Sequence, residues 1–238
     1  MTAAGATLGL IGGIGPESTI EYYRALLAAY RERHGNGTAP SILINSIDVN
    51  RVLALMGAGD RAALTEMLVA EIGRLARAGA SLAIIAANTP HAVFGEVQSR
   101  AAVPLLSIVT ATRDAVQAGG WTRVALFGTR FTMAGRFYPD VFAAAGLELV
   151  PPSADDQAFI HDIYTTELLR NIFLPETNDA LVRIIERMKR DDRIEAVILG
   201  GTELPLILRG DSAAGLPLLD TTRIHARAAV DRLWSSSP

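Results

Sequence analysis

Cysteine is missing from all 238 residues. No disulfide, thiolate metal site or cysteine nucleophile can form in such a chain. Basic runs are missing too. The balance is 22 Lys+Arg against 25 Asp+Glu, a formal charge of −3, and nothing in it marks a nucleic-acid partner. No unbroken apolar stretch reaches the roughly 18 residues that cross a bilayer, so no membrane association is expected. The opening MTAAGATLGLIGG has no basic region and runs straight into a strand pattern. A secretory leader is therefore not expected, and a cytoplasmic location is. The four histidines are scattered. Neither His-x-x-x-His nor a carboxylate cluster occurs at ligand spacing, so the expected metal is none.

What is present is an α/β pattern. Half of the residues are hydrophobic, enough for a packed interior. Strands are expected at 7–11, 41–46, 81–86, 104–108, 123–127, 147–150, 196–199 and 216–219. Several are apolar almost throughout, which suits strands covered on both faces. Helices are expected at 16–33, 60–78, 92–100, 110–118, 132–145, 155–170, 176–190 and 221–234. Asp60 is placed to cap the second of these and Gly79 to stop it. The alternation predicts parallel sheets flanked by helices.

The chain also echoes itself. Leu8-Gly9-Leu10-Ile11-Gly12-Gly13 matches Val124-Ala125-Leu126-Phe127-Gly128-Thr129, with Gly12 falling on Gly128. Ile84-Ile85-Ala86-Ala87-Asn88-Thr89 matches Ile198-Leu199-Gly200-Gly201-Thr202-Glu203, with Ala87 falling on Gly201. Two matches at nearly one offset predict a duplicated lobe; chance likeness between buried strands is the alternative. The expected lobes are 1–107 plus 210–238, and 108–209, with a cleft between them. Ligands of open parallel sheets sit beyond the carboxyl ends of strands. Four strand ends would then face one cleft.

Each strand end carries small or polar residues. Gly12-Gly13-Ile14-Gly15-Pro16-Glu17-Ser18-Thr19 follows the first strand and opens a helix. Backbone N–H groups there, Gly13 included, would favour an anion, with Ser18 and Thr19 as added donors. The dinucleotide fingerprint is only half matched and the P-loop lysine is absent, so a carboxylate is favoured over a nucleotide. A plain tight turn is the alternative. Asn88 and Thr89 can donate to a carboxylate; Asn88 can equally be a helix cap. Thr202 is a further donor, and Glu203 a base or an ammonium ligand, unless the two merely start a turn before Pro205. His91 is a candidate proton donor that can also simply pack or cap its turn. In Gly128-Thr129-Arg130-Phe131-Thr132, Thr129 and Thr132 are donor candidates.

These four segments, with Met133 closing the third and Leu204-Pro205 the fourth, resemble the aspartate/glutamate racemase family in order and spacing. Asp220 and Ile224-His225-Ala226 resemble its closing helix. The resemblance implies two pseudo-symmetric α/β lobes and a small acidic amino acid or dicarboxylate as ligand. It further implies no pyridoxal phosphate or other cofactor, and a homodimer. Arg51 stands where the family often holds the substrate carboxylate; an ordinary surface arginine is the alternative. The family reaction is proton transfer at the α-carbon between two opposed cysteine thiolates, because inversion needs a donor on the far face. The resemblance puts those thiols at Ala87 and Gly201, and neither carries an ionisable group. The two-thiol mechanism is therefore not possible in this chain. Three expectations follow: another residue acts, with Glu203 and His91 ahead of Asp48 and Glu17; or the chain binds without converting; or it is an engineered inactive variant. Restoring both cysteines is expected to restore racemisation if the cleft is intact.

Overall fold

A computed structural model describes residues 6–35 and 38–235. Its contacts separate into two compact units, one within Met1–Ala111 and Thr222–Pro238, the other within Thr112–Thr221.

The first unit holds a three-stranded parallel sheet. Its strands are β1 (Thr7–Gly12), β2 (Ser41–Ser46) and β3 (Leu82–Ile85), in the order β2-β1-β3. The central strand is buried almost end to end, as a strand covered on both faces must be. Helix α1 (Pro16–His34) links β1 to β2, with Pro16 at its first position, where a missing N–H is harmless. Two helices that follow β2 are α2 (Val49–Gly57) and α3 (Arg61–Arg77). α3 starts at Asp60, whose carboxylate accepts the Ala63 N–H at 2.9 Å. Its buried stripe of Leu64, Met67, Leu68, Ile72 and Leu75 packs on Ile11, Ala83 and Ile85. The spacing is that of one helical face. After β3 come a 3-10 turn (Thr89–Val93), α4 (Phe94–Gln98) and α5 (Ile108–Ala118).

The second unit holds a five-stranded sheet. Its strands are β4 (Arg123–Gly128), β5 (Glu148–Val150), β6 (Ala196–Gly200), β7 (Ser212–Ala213) and β8 (Leu216–Asp220). The order is β5-β4-β6-β8-β7, and β7 alone runs antiparallel. Helices α6 (Arg130–Met133), α7 (Phe137–Ala143), α8 (Ala154–Thr166), α9 (Pro175–Asp191) and α10 (Leu204–Ile207) connect these strands. Ser153 caps α8 through the Asp156 N–H. Leu181, Ile184, Ile185 and Met188 form the buried face of α9, against Ala125, Phe127, Val197 and Leu199. Helix α11 (Thr221–Ser235) follows β8, and from Thr222 onward it belongs to the first unit.

The internal echo reappears as strand pairing. Ile11 partners Ile85 in the first sheet, and Phe127 partners Leu199 in the second. These four residues are each other's counterparts in the sequence matches, so the two sheets share register as well as order.

Three expected elements differ. Residues 104–108 make a single bridge, Ala83 to Leu105, because Ile108 already begins α5. The helix expected over 132–145 is two short helices, broken around Gly135. The range 210–238, read with the first lobe, is divided: β8 pairs with β6, so 216–220 lies in the second sheet. Helix α2, β7 and α10 are elements beyond those expected from the sequence. Among the described residues, no helix is long and apolar enough to cross a membrane.

Candidate functional site

Parallel pairing gathers the candidate residues at the carboxyl ends of strands, separately in each unit. In the first unit, β1 and β3 deliver the glycine loop and Asn88-Thr89 side by side. The Ala86 N–H donates to the Ile11 carbonyl at 2.9 Å. β2 brings Asp48 and Arg51 to the same end of the sheet.

The glycine loop is tighter than an open anion cradle. Gly13 has φ +81°, and a Cβ there would overlap the Ile47 carbonyl oxygen and stand 2.6 Å from its nitrogen. Only glycine fits this close approach of two backbones. The Gly13 N–H, expected to face a ligand, donates instead to Thr19 Oγ1 at 2.7 Å. Thr19 in turn bonds the Gly15 carbonyl at 3.2 Å. Thr19 thus acts as the latch of the loop. Ser18 is buried in the first turn of α1, whereas Glu17 is exposed. Asp48 caps α2 through the Asn50 N–H at 2.8 Å, and Arg51 is exposed on that helix.

Asn88 is buried at the start of the 3-10 turn, and its side chain makes no cap hydrogen bond. Its carbonyl accepts the His91 N–H at 3.0 Å. Thr89 is half-buried. Ala87, where the resemblance puts the first thiol, is 7% exposed.

His91 holds the backbone around that position. Its Nδ1 lies 2.9 Å from the Ala87 carbonyl, and its Nε2 accepts the Ile108 N–H at 3.2 Å. The acceptor role of Nε2 puts the ring proton on Nδ1. Burial lowers its pKa to about 4. Next to it, His225 of α11 accepts from the Tyr22 hydroxyl at 3.0 Å and donates to the Leu106 carbonyl at 3.0 Å. The two ring centroids are 6.1 Å apart. Burial, and then the neighbouring His91, lower the His225 pKa to about 3. Both imidazoles are neutral near pH 7, with both nitrogens of each ring engaged. This geometry favours the packing role for His91 over proton donation.

In the second unit, Gly128 and Gly200 are partners across β4 and β6. A Cβ at Gly128 would lie 2.9 Å from the Gly200 carbonyl and 3.1 Å from Thr132 Cβ. The glycine pair therefore lets α6 sit down on the sheet, with Thr132 fully buried. Thr129 caps α6 by accepting the Thr132 N–H at 3.3 Å. Its hydroxyl also lies 3.3 Å from that of Thr132. Part of each hydroxyl's bonding is thus directed at the other.

At Gly201, where the resemblance puts the second thiol, a side chain would run into the Tyr164 ring. A Cβ there would overlap Tyr164 Cε2 and stand 2.9 Å from the Tyr164 hydroxyl and 3.0 Å from Cζ. Tyr164 comes from α8 and is 4% exposed. Its hydroxyl donates to Glu203 Oε2, which also accepts from Thr202 Oγ1 at 2.8 Å. Burial first, and then the Glu203 carboxylate, hold the Tyr164 pKa well above the usual phenol value. Tyr164 is the residue that sequence reasoning missed. On sequence alone it reads as one more apolar position of a helix. The signal in the sequence is indirect: a glycine where the resemblance puts a cysteine.

Among the described residues, no group of three His, Asp or Glu side chains stands close enough to hold a metal ion.

The strand-end loops and paired parallel sheets place this chain in the class of two-unit α/β proteins. The model of the Asp/Glu/Hydantoin racemase family matches residues 11–229, and the chain belongs to that family. A candidate Asp/Glu racemase from Yersinia pestis is 31% identical. The match covers 96% of this chain and 99% of that one, with a TM-score of 0.88. An aspartate racemase homologue from Pyrococcus horikoshii OT3 is 33% identical over 95% and 98% of the two chains, with a TM-score of 0.83. A glutamate racemase from a Parafrankia species is 34% identical over 142 residues. That match takes in 58% of this chain but only 49% of the relative.

Proposed function

We propose that this protein binds a small acidic amino acid or dicarboxylate at its strand-end loops and does not racemise it by the two-thiol route. Gly201 carries the reading. Not only is the thiol missing, its space is filled by the ring of Tyr164. Ala87 leaves the first position equally without a proton-transfer group. The family and its racemase relatives support an acidic ligand. In the first unit Ser18, Asn88 and Thr89 are the polar residues proposed for such a ligand, with Arg51 pairing a carboxylate from α2; in the second unit Thr129 and Thr202 are the corresponding candidates. No cofactor is required for this role. A homodimer remains part of the proposal on the family resemblance, and a cytoplasmic location on the sequence expectation.

A second reading is favoured by one observation. Glu203 is a buried carboxylate, 4% exposed, at a strand end and next to two hydroxyls. Such a group can serve as a single base in an isomerase or lyase reaction on a related acid. The test is titration calorimetry with L- and D-aspartate and L- and D-glutamate, alongside NMR of the α-hydrogen in deuterated water. Binding without exchange supports the first reading. Exchange lost in Glu203→Gln supports the second. Absence of binding to all four acids would overturn the acidic-amino-acid reading.

A further inference from the structure

We infer that Tyr164 is a ligand-contacting, specificity-determining residue, its phenol standing in for the side chain that Gly201 lacks. The inference rests on the reading above that the strand end at 201 meets the ligand.

The argument is geometric and lies within one unit. A side chain at 201 would start at a Cβ 2.9 Å from the Tyr164 oxygen. The ring of Tyr164 therefore occupies the volume through which any side chain at 201 would project. Whatever meets the end of β6 from that direction meets the phenol. Gly201 and Tyr164 are in this sense one composite position, a backbone from β6 and a side chain from α8. The phenol is also held in place. The phenol O–H donates to Glu203 Oε2, and Thr202 Oγ1 donates to the same carboxylate oxygen at 2.8 Å. A buried hydroxyl fixed by a charged acceptor is a rigid recognition element, since its orientation is set before a ligand arrives.

Its chemistry differs from a thiol's. A thiol ionises near neutrality and can carry a proton to and from carbon. Burial and a neighbouring carboxylate keep the phenol protonated. Ionising it would place a second negative charge next to Glu203. The composite position therefore holds a ligand without shuttling its α-hydrogen. Glu203 acts here as a positioning residue, setting where the phenol oxygen lies.

The test uses the full-length protein, the four acids named above, and two variants. Tyr164→Phe keeps the ring and deletes the oxygen. Gly201→Ala keeps the oxygen and forces the ring aside. Each is expected to weaken binding of the preferred amino acid about tenfold or more, the usual scale for losing a hydrogen bond from a charged group, here the ligand ammonium, to the phenol oxygen, whose own hydrogen goes to Glu203. Circular dichroism and a thermal melt establish that each variant is folded; one folded variant suffices for the decision. A structural role alone would lower the melting temperature and leave the affinity of the folded protein unchanged. Affinity within twofold of the parent in the folded variants overturns the inference. If the parent binds none of the four acids, the underlying functional reading falls instead, and the two failures are thereby distinguished.

Discussion

Restoring a thiol at position 201 should fail unless Tyr164 is removed with it. In Gly201→Cys the new Cβ would overlap Tyr164 Cε2 and lie 3.0 Å from Cζ. The ring is 4% exposed and bonded to Glu203, so it has no cheap escape. Overpacking a filled site costs about 1–3 kcal/mol. If the ring swings away, the bond to a charged acceptor goes with it, for a further loss of about 1.5–3 kcal/mol. Tyr164→Ala alone should also destabilise, by about 3–5 kcal/mol, the usual cost of emptying an aromatic site. In that background, however, the cysteine fills space instead of competing for it. The cycle should therefore show a favourable coupling of about 2–3 kcal/mol, the scale seen for residues in contact. Urea denaturation of the four proteins measures it. Equal costs of Gly201→Cys in both backgrounds would refute the reasoning. The same geometry revises the expectation that two cysteines suffice to restore racemisation: Ala87→Cys with Gly201→Cys needs Tyr164→Ala as a third change.

Three other outcomes are expected. Stability should fall on acidification from about pH 6.5, because His91 and His225 stay neutral when folded, with pKa values of about 4 and about 3, but take up protons when unfolded. The loss should approach about 1.4 kcal/mol per pH unit for each histidine, and is complete only below the folded values. A flat urea midpoint from pH 7 to pH 5 would contradict this. Gly13→Ala should cost about 3 kcal/mol or more in a thermal melt, since φ is +81° and the Ile47 backbone blocks a Cβ. Thr19→Val should cost about 1–3 kcal/mol by orphaning the Gly13 N–H; an unchanged melting temperature would deny Thr19 its latch role.

The fold was largely legible because its signals are local. Apolar runs marked the strands, Asp60 and Pro16 marked helix starts, and the offset between Gly12 and Gly128 anticipated the shared register of the two sheets. The place of 216–220 was not legible, because strand pairing is a long-range choice that a short apolar run does not encode. The break near Gly135 was hidden by apolar residues on both sides. At the site, strand-end positions were readable but bonding was not. The sequence presents Gly13 as a free donor, but Thr19 takes its N–H. It presents His91 as a proton donor, but both ring nitrogens are engaged. Tyr164 was invisible, since its meaning depends on a residue 37 positions later, Gly201, with which it shares volume.

The most direct measurement is simultaneous: bind L- or D-aspartate and L- or D-glutamate in deuterated water, and follow heat and α-hydrogen together. Saturable heat with the α-hydrogen retained is the predicted result. Deuterium entering with inversion of configuration, from a chain that has Ala87 and Gly201 where the resemblance puts thiols, would contradict the account outright.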